Sequence, residues 1–410
     1  MTPPYPRLIA SKLAEILADT PVVCLLGPRQ VGKTTSARHY CPEHSYINFD
    51  DSSLLAAAKQ DPSGFIQALP EYVVLDEVQR VPELLPAIKA SVDANRKPGR
   101  FLLTGSANLL LLPGAQESLA GRMEVVNLLP LTEQEIQGGT NTFLHRLLTN
   151  NITASIQGEQ KVISEIADVV CRGGYPEPIA RTPNRAKQWH RQYINAIIQR
   201  DVKDIAAIRD EAEMFKLFEM LAYRTATLLN VSNLANELQM RRETVEKYLT
   251  ILERLYLVHR LPAWHKNDSN RLIKTPKIHL VDSGLAATFC NLQANQWNDF
   301  SNDFGPILET FVTQQLITQS TWFDADLRFS HYRDKDQVEV DLVIEQGKKI
   351  WGIEVKKAAS FQQKDGAGLN RLAAQAGKQF QGGVLFYSGN NTLPVATQNC
   401  FAVPINELWK

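Results

Sequence analysis

Gly27, Pro28, Arg29, Gln30, Val31, Gly32, Lys33 and Thr34 spell G-x-x-x-x-G-K-T, with Thr35 next in line, directly after the apolar run Val22 to Leu26. The pattern suits chemistry on a nucleoside triphosphate. Glycines let the backbone curl until its N–H groups face a β-phosphate, Lys33 can span the β- and γ-phosphates, and the Thr34 hydroxyl can ligate Mg²⁺. An apolar strand feeding a glycine-rich turn and then a helix is the context this chemistry needs.

A second run, Tyr72-Val73-Val74-Leu75, ends in Asp76 and Glu77. Asp76 is placed to hold the Mg²⁺ and Glu77 to polarise an attacking water. Two acids after a strand also suit a helix start, and the phosphate loop upstream is what favours hydrolysis. A third run, Arg100 to Gly105, leads into Ser106 and Asn108, candidates to sense a γ-phosphate at a strand end. Arg122 closes Glu117-Ser118-Leu119-Ala120-Gly121-Arg122 and is a candidate arginine finger, in cis or for a neighbouring subunit of a homo-oligomer. The alternative is a surface arginine at a helix C-terminus.

The far end carries a different set. Gln337 to Ile344 and Ile350 to Lys356, joined by Gln346-Gly347-Lys348, read as a hairpin in which Glu354 and Lys356 share a face and Asp341 comes from the adjacent strand. Glu309, on a helix starting near Gly305, can reach the same place. Glu309, Asp341, Glu354 and Lys356 would form a Mg²⁺ site for phosphodiester hydrolysis, with Lys356 positioning or deprotonating the water. The alternative is a strand-edge Glu and Lys pair that discourages aggregation.

Strand and helix patterns alternate through the first block, which implies a parallel sheet covered by helices. Residues 46–50 read as a strand and 54–59 as a helix. Residues 137–160 read as a loop or weak helix, Gly173 to Pro178 as a rigid turn, and 185–209 as a long helix. Residues 216–280 hold 11 Lys and Arg against 6 Asp and Glu. Within them, a short helix capped by Ser232, a second helix from Met240 with an apolar face at Val245, Tyr248, Leu249, Leu252 and Leu255, and strands at 257–261 and 277–281 read as a winged helix-turn-helix. Arg241, Arg242, Thr244 and Lys247 then lie toward the start of its recognition helix, where DNA would be met. A packing module or a protein-interaction domain is the competing reading.

The chain has 410 residues, enough for two to four domains, and a formal net charge of zero, so any nucleic-acid binding needs a local patch. Five scattered cysteines without C-x-x-C spacing argue against a disulfide framework or zinc site and for a reducing, cytoplasmic setting. Neither a signal sequence nor a long apolar span is evident, so no membrane role is expected.

The stretches GPRQVGKTT (27–35), LDEVQR (75–80), LLTGSANLL (102–110), GGYPEP (173–178), QRDV (199–202), DSGLA (282–286) and EVDLVIEQGKKIWGIEVKKA (339–358) together resemble the prokaryotic AAA-type (AAA_14) P-loop ATPases with a C-terminal DUF4143 region. The resemblance spans nearly the whole chain. It implies ATP as the nucleotide and an α/β P-loop NTPase core of AAA type at 1–140. A helical lid or connector at 141–215, a winged helix-turn-helix at 216–290 and a PD-(D/E)XK nuclease-like α/β domain at 291–410 would follow. No clear second sensor arginine is present. The expected function is ATP hydrolysis coupled to DNA engagement; an ATP-licensed nuclease and a nucleotide-dependent switch for a protein partner are the alternatives.

Overall fold

The computed structural model describes residues 5–105, 119–140, 142–156, 162–205, 210–266, 274–299, 301–323, 325–395 and 399–410. The chain divides into two compact units. One comprises Met1–Leu131 with Arg254–Tyr256 and Thr321–Asp324, and the other Thr132–Glu253, Leu257–Ser320 and Ala325–Lys410.

The first unit is built on a five-stranded sheet of β1 (Val22–Leu26), β2 (Ser45–Asn48), β3 (Val73–Asp76), β4 (Phe101–Gly105) and β5 (Met123–Asn127). Its order is β2-β3-β4-β1-β5 and every neighbouring pair is parallel. β1, β3 and β4 are buried along their full length, which is why they read as unbroken aliphatic runs rather than as an alternation. Helix Leu84–Ala94 buries Leu84, Leu85, Ile88 and Val92. They share a core with Val22, Cys24, Leu26, Val73, Leu75 and Phe101, alternate residues of the central strands. Each such side chain contributes roughly 2 kcal/mol of burial. Parallel pairing also sends the ends of β1, β3 and β4 to one edge of the sheet.

The second unit has a six-stranded mixed sheet of β9 (Leu327–Arg333), β10 (Glu339–Gln346), β11 (Lys349–Lys356), β12 (Phe380–Tyr387), β13 (Leu393–Pro394) and β14 (Cys400–Pro404) in the order β13-β14-β12-β11-β10-β9. A three-stranded antiparallel sheet, β6 (Thr227–Leu228), β8 (Lys277–Leu280) and β7 (Val258–Leu261), belongs to the same unit. The expected hairpin forms as β10 and β11, with Gly347 at φ +59° in its turn. Helix Ala367–Ala376 crosses over from β11 to its parallel neighbour β12, and Gly352 lets it approach: a Cβ there would lie 2.7 Å from Leu369 Cδ2. Trp264 and Trp351 are among the largest fully buried side chains.

The connector, the basic segment and the C-terminal part are drawn into this one unit rather than standing as three. Buried polar side chains of helix Gly305–Ser320 show why. Gln315 accepts from the Glu133 N–H (2.9 Å) and Gln319 from the Leu144 N–H (3.1 Å), while Thr310 meets Thr225 (2.8 Å) and His279 (3.1 Å). Asp282 joins two of the family stretches by accepting from Gly174 N–H (2.7 Å) and Leu285 N–H (2.9 Å). Gly173, at φ +72°, permits the approach, since a Cβ there would sit 2.3 Å from Asp282 Oδ1.

Local differences from the sequence reading have simple causes. Helix Val231–Leu238 is capped by Asn230, which accepts from Asn233 N–H (3.0 Å), so Ser232 lies inside the first turn. Residues 137–160 include the helix Phe143–Leu148, held by burial of Phe143, Leu144 and Leu147. Pro176 opens the short helix Pro176–Ile179, a position that needs no N–H. All five cysteines are free, and no helix among the described residues is long and apolar enough to cross a membrane.

Candidate functional site

At the common edge of the first sheet, the loop after β1 turns through Gly27 (φ +151°), Gln30 (φ +62°) and Gly32 (φ +98°) before helix Lys33–Tyr40 begins. Gly27 is irreplaceable in this geometry, because a Cβ would lie 2.0 Å from the Leu128 carbonyl oxygen. Lys33 Nζ donates to the carbonyls of Gly27 (2.9 Å) and Pro28 (2.8 Å) inside the loop. Thr34 and Thr35 are exposed on the first turn of the helix. Thr34 Oγ1 donates to Asp76 Oδ2 at 2.7 Å, so loop and β3 meet as their spacing implies. Glu77 follows at φ +57°, a left-handed conformation that a non-glycine residue adopts at a cost, and it accepts from the Gln79 amide.

Three contributors were not singled out from the sequence. Tyr46 and Thr104 donate their hydroxyls to Asp76. Thr104 reaches it because β4 lies between β1 and β3, and a lone threonine at the end of an aliphatic strand was the available signal. Buried Arg7 donates to Leu129 O (2.6 Å) and Val31 O (3.3 Å), fastening the loop to the chain that follows β5. Tyr46 carries Arg38 over its ring at 3.9 Å. Its phenol is pushed up by burial and by the Asp76 carboxylate.

Arg122 does not join this site. It precedes β5, and parallel pairing of Val22 with Met123 puts it at the opposite edge of the sheet from the loop after Leu26. There its Nε is 2.5 Å from Asp93 and its Nη1 donates to Ala120 O (3.0 Å), so a finger acting in cis on the chain's own loop is ruled out by distance along the strand. Ser106 and Asn108 lie outside the described residues.

In the second unit, Asp341 and Glu354 come together across the β10–β11 pair, and Asp341 Oδ2 accepts from Val355 N–H at 2.9 Å. Glu309 joins them from its helix, as its spacing suggested. The lysine among them is another one. Lys277 Nζ, from β8, lies 2.8 Å from Glu309, 3.4 Å from Asp341 and 3.7 Å from Glu339, with its side chain 4% exposed. Lys356 instead points outward, 42% exposed and 4.0 Å from Asp365. Burial alone would lower the Lys277 ammonium, but Glu309 and Asp341 outweigh it and hold the group above its usual range. Burial first, then the Asp341 charge, pushes the Glu309 and Glu354 carboxyls well above theirs. The expected Mg²⁺ arrangement of Glu309, Asp341, Glu354 and Lys356 therefore does not fit: an ammonium stands where the cation would. Among the described residues no group of three or more His, Cys, Asp or Glu is arranged to hold a metal ion. Lys277 and His279 alternating with Ile278 and Leu280 on a fully buried strand was the signal that could have found this lysine.

On helix Arg242–Arg254, Val245, Tyr248, Leu249, Ile251 and Leu252 face the core. Arg241, Arg242 and Lys247 are exposed and make no ion pair among the described residues, while Thr244 is half-buried. Other arginines nearby are paired: Arg224 with Glu237, and Arg260 with Glu253 at 3.1 Å.

Comparison with known proteins fits this arrangement. An AAA domain (AAA_14) matches residues 19–137, and a domain of unknown function, DUF4143, matches 304–408. The chain thus carries a match to an AAA domain followed by a match to a C-terminal DUF4143 domain. Between the AAA and DUF4143 domains, a further domain of unknown function, DUF8612, matches 163–296. An uncharacterized protein of Mycobacterium tuberculosis is 28% identical over 98% of this chain and 84% of its own length, and an uncharacterized protein of Haemophilus influenzae is 24% identical over 58% and 59%. Among solved structures, the Walker-type ATPase of Pyrococcus abyssi shares 16% identity over 68% of this chain and 94% of its own, with a TM-score of 0.42. The AMPPCP-bound DnaA of Aquifex aeolicus shares 13% over 60% and 86%, with a TM-score of 0.28. Residues 19–137, matched by the AAA domain, hold the parallel α/β sheet and the Gly27–Thr34 loop described above, an arrangement that implies nucleotide binding.

Proposed function

We propose that this chain is a Mg²⁺-dependent ATPase whose nucleotide state controls DNA engagement by its second unit. The observation that carries the hydrolytic part is the 2.7 Å hydrogen bond from Thr34 to Asp76, which unites the phosphate loop with the acidic strand end. In this reading Lys33 exchanges the loop carbonyls for phosphate oxygens, and N–H groups of residues 29–35 face the phosphates. Thr34 and Asp76 would hold Mg²⁺, which would supply charge neutralisation at the phosphates. Glu77 orients the attacking water, its side chain steadied by Gln79.

DNA engagement rests on the unpaired cations. Helix Arg242–Arg254, the helix Val231–Leu238 before it and the β7–β8 strands have the make-up of a winged helix-turn-helix, with Arg241, Arg242, Thr244 and Lys247 presented to a polyanion. A cleft of about 460 Å³ is lined by Lys274, Arg333, Lys335 and Arg371 together with Asp334 and Asp336; Arg333 is paired with Glu339 and Arg371 with the two aspartates, so Lys274 and Lys335 are what it adds to the positive surface. The PD-(D/E)XK-like strands contribute as a scaffold, and no cleavage is assigned to them.

ATP turnover measured with and without duplex, single-stranded and branched DNA tests the reading. Stimulation by one of them, weakened by salt and lost in Arg241→Ala/Arg242→Ala, is expected. No response to any DNA, with turnover intact, would leave the ATPase standing and favour a protein partner for the same helix.

A further inference from the structure

We propose that the Lys277 ammonium is the resident cation of the Glu309–Asp341–Glu354 pocket, that it keeps divalent ions out of the native protein, and that its removal uncovers a divalent-cation site. The inference is independent of whether the chain hydrolyses ATP or engages DNA.

Glu309 and Asp341 meet at Nζ, with Glu339 at the rim, and Glu354 feels the same charges from beyond ion-pair distance. Oxygens of Glu309, Asp341 and Glu339 surround the ammonium at 2.8, 3.4 and 3.7 Å. A divalent cation needs several oxygens at roughly 2.0–2.6 Å, and no position can satisfy that within the same ring of oxygens while a second positive charge remains. Glu339 is also committed to Arg333, at 2.9 Å, so the pocket's own carboxylates are Glu309, Asp341 and Glu354.

Glu354 is the second observation. It is 7% exposed and takes no hydrogen bond or ion pair among the described residues. Its carboxylate is packed against Gly368, in the first turn of helix Ala367–Ala376, where a Cβ would lie 2.1 Å from Oε1. Burial and the Asp341 charge favour its neutral form, so Glu354 is the one acid of the set that the ammonium leaves without an ion pair.

Lys277 cannot swing aside as a gate. It sits on β8, the middle strand of its sheet, paired with β6 on one side and β7 on the other, and Ile278 and Leu280 anchor that strand in the core. The buried His279 beside it is held neutral by burial and by the Lys277 charge, so it adds no second cation. The ammonium is thus a permanent tenant that fastens β8 to the large sheet.

The test uses the full chain in a Thr34→Ala background, without nucleotide, so that the phosphate-loop metal site is disabled. Free Mn²⁺ is followed by electron paramagnetic resonance and stability by thermal melting. With Lys277 present, no saturable Mn²⁺ binding is expected up to about 1 mM. Lys277→Met should lower Tm by about 5–10 °C, bind one Mn²⁺, recover part of the loss with the metal, and lose the binding on addition of Asp341→Asn. Lys277→Arg, which keeps the charge, should fold and bind none. Mn²⁺ bound with Lys277 present and released by Asp341→Asn would overturn the proposal, as would a folded Lys277→Met chain that binds no Mn²⁺. If Lys277→Met does not fold, Lys277→Arg decides: a folded chain without Mn²⁺ binding supports the proposal, and one that binds the ion overturns it.

Discussion

Thr34 Oγ1 gives its single proton to Asp76 Oδ2 over 2.7 Å. The hydroxyl therefore turns only lone pairs toward the space in front of the phosphate loop, and Asp76 is in turn aligned by Tyr46 and Thr104. In the proposed ATPase, an acceptor-only threonine beside an aligned carboxylate would receive a cation without rearrangement.

Thr34→Ala should remove most Mg²⁺-dependent ATP turnover, on the order of 100-fold, while Thr34→Ser should stay within a few-fold of wild type. Steady-state phosphate release checks this. Equal losses for Ser and Ala would show that the methyl group matters and the hydroxyl does not.

Glu77→Gln should bind nucleotide normally and turn it over roughly 100-fold more slowly, since the amide keeps the shape but cannot polarise the water. Fluorescent nucleotide titration alongside turnover separates the two. Unchanged turnover would remove Glu77 from the mechanism.

Arg122→Ala should leave turnover within twofold at every protein concentration, because its guanidinium is engaged by Asp93 at the far edge of the sheet. A deep loss that appears only as concentration rises would place Arg122 at a neighbouring subunit's nucleotide instead.

Asp282 supplies a pH signature. Burial raises its carboxyl from 3.8 to about 6 against the pull of its backbone donors. A group raised on folding stabilises the protein below its unfolded value, and that contribution is lost as pH climbs to the folded one. Wild type minus Asp282→Asn stability should therefore fall between pH 4 and 6, by up to about 3 kcal/mol. Urea denaturation across that range measures it, and a difference that is flat or rises would refute the assignment.

The phosphate loop and β3 were legible in the sequence because each residue there answers to a local demand: glycines for left-handed backbone, an aliphatic run for a strand buried on both faces, acids at its end. The β10–β11 hairpin was legible for a similar reason, through its period of two and the glycine in its turn. Arg122 was not, because helical spacing tells nothing about the end of the sheet at which the next strand begins; parallel pairing decided that. Proximity along one strand points to Lys356 as the lysine of the carboxylate cluster. Lys277, distant in sequence, prevailed because only a strand buried on both sides could hold an ammonium so far from water. Ser232 lost the cap to Asn230 by two residues, within the usual uncertainty of helix ends.

The distribution of tryptophan follows from how the chain is divided. Residues 1–131 contain none, and five of the six belong to the second unit, with Trp264 and Trp351 in its interior. Once Trp322 is replaced by Phe, the protein is an optical instrument with its detector in the half that does not hold the nucleotide. Any change in indole emission on adding ATP then reports on the second unit alone.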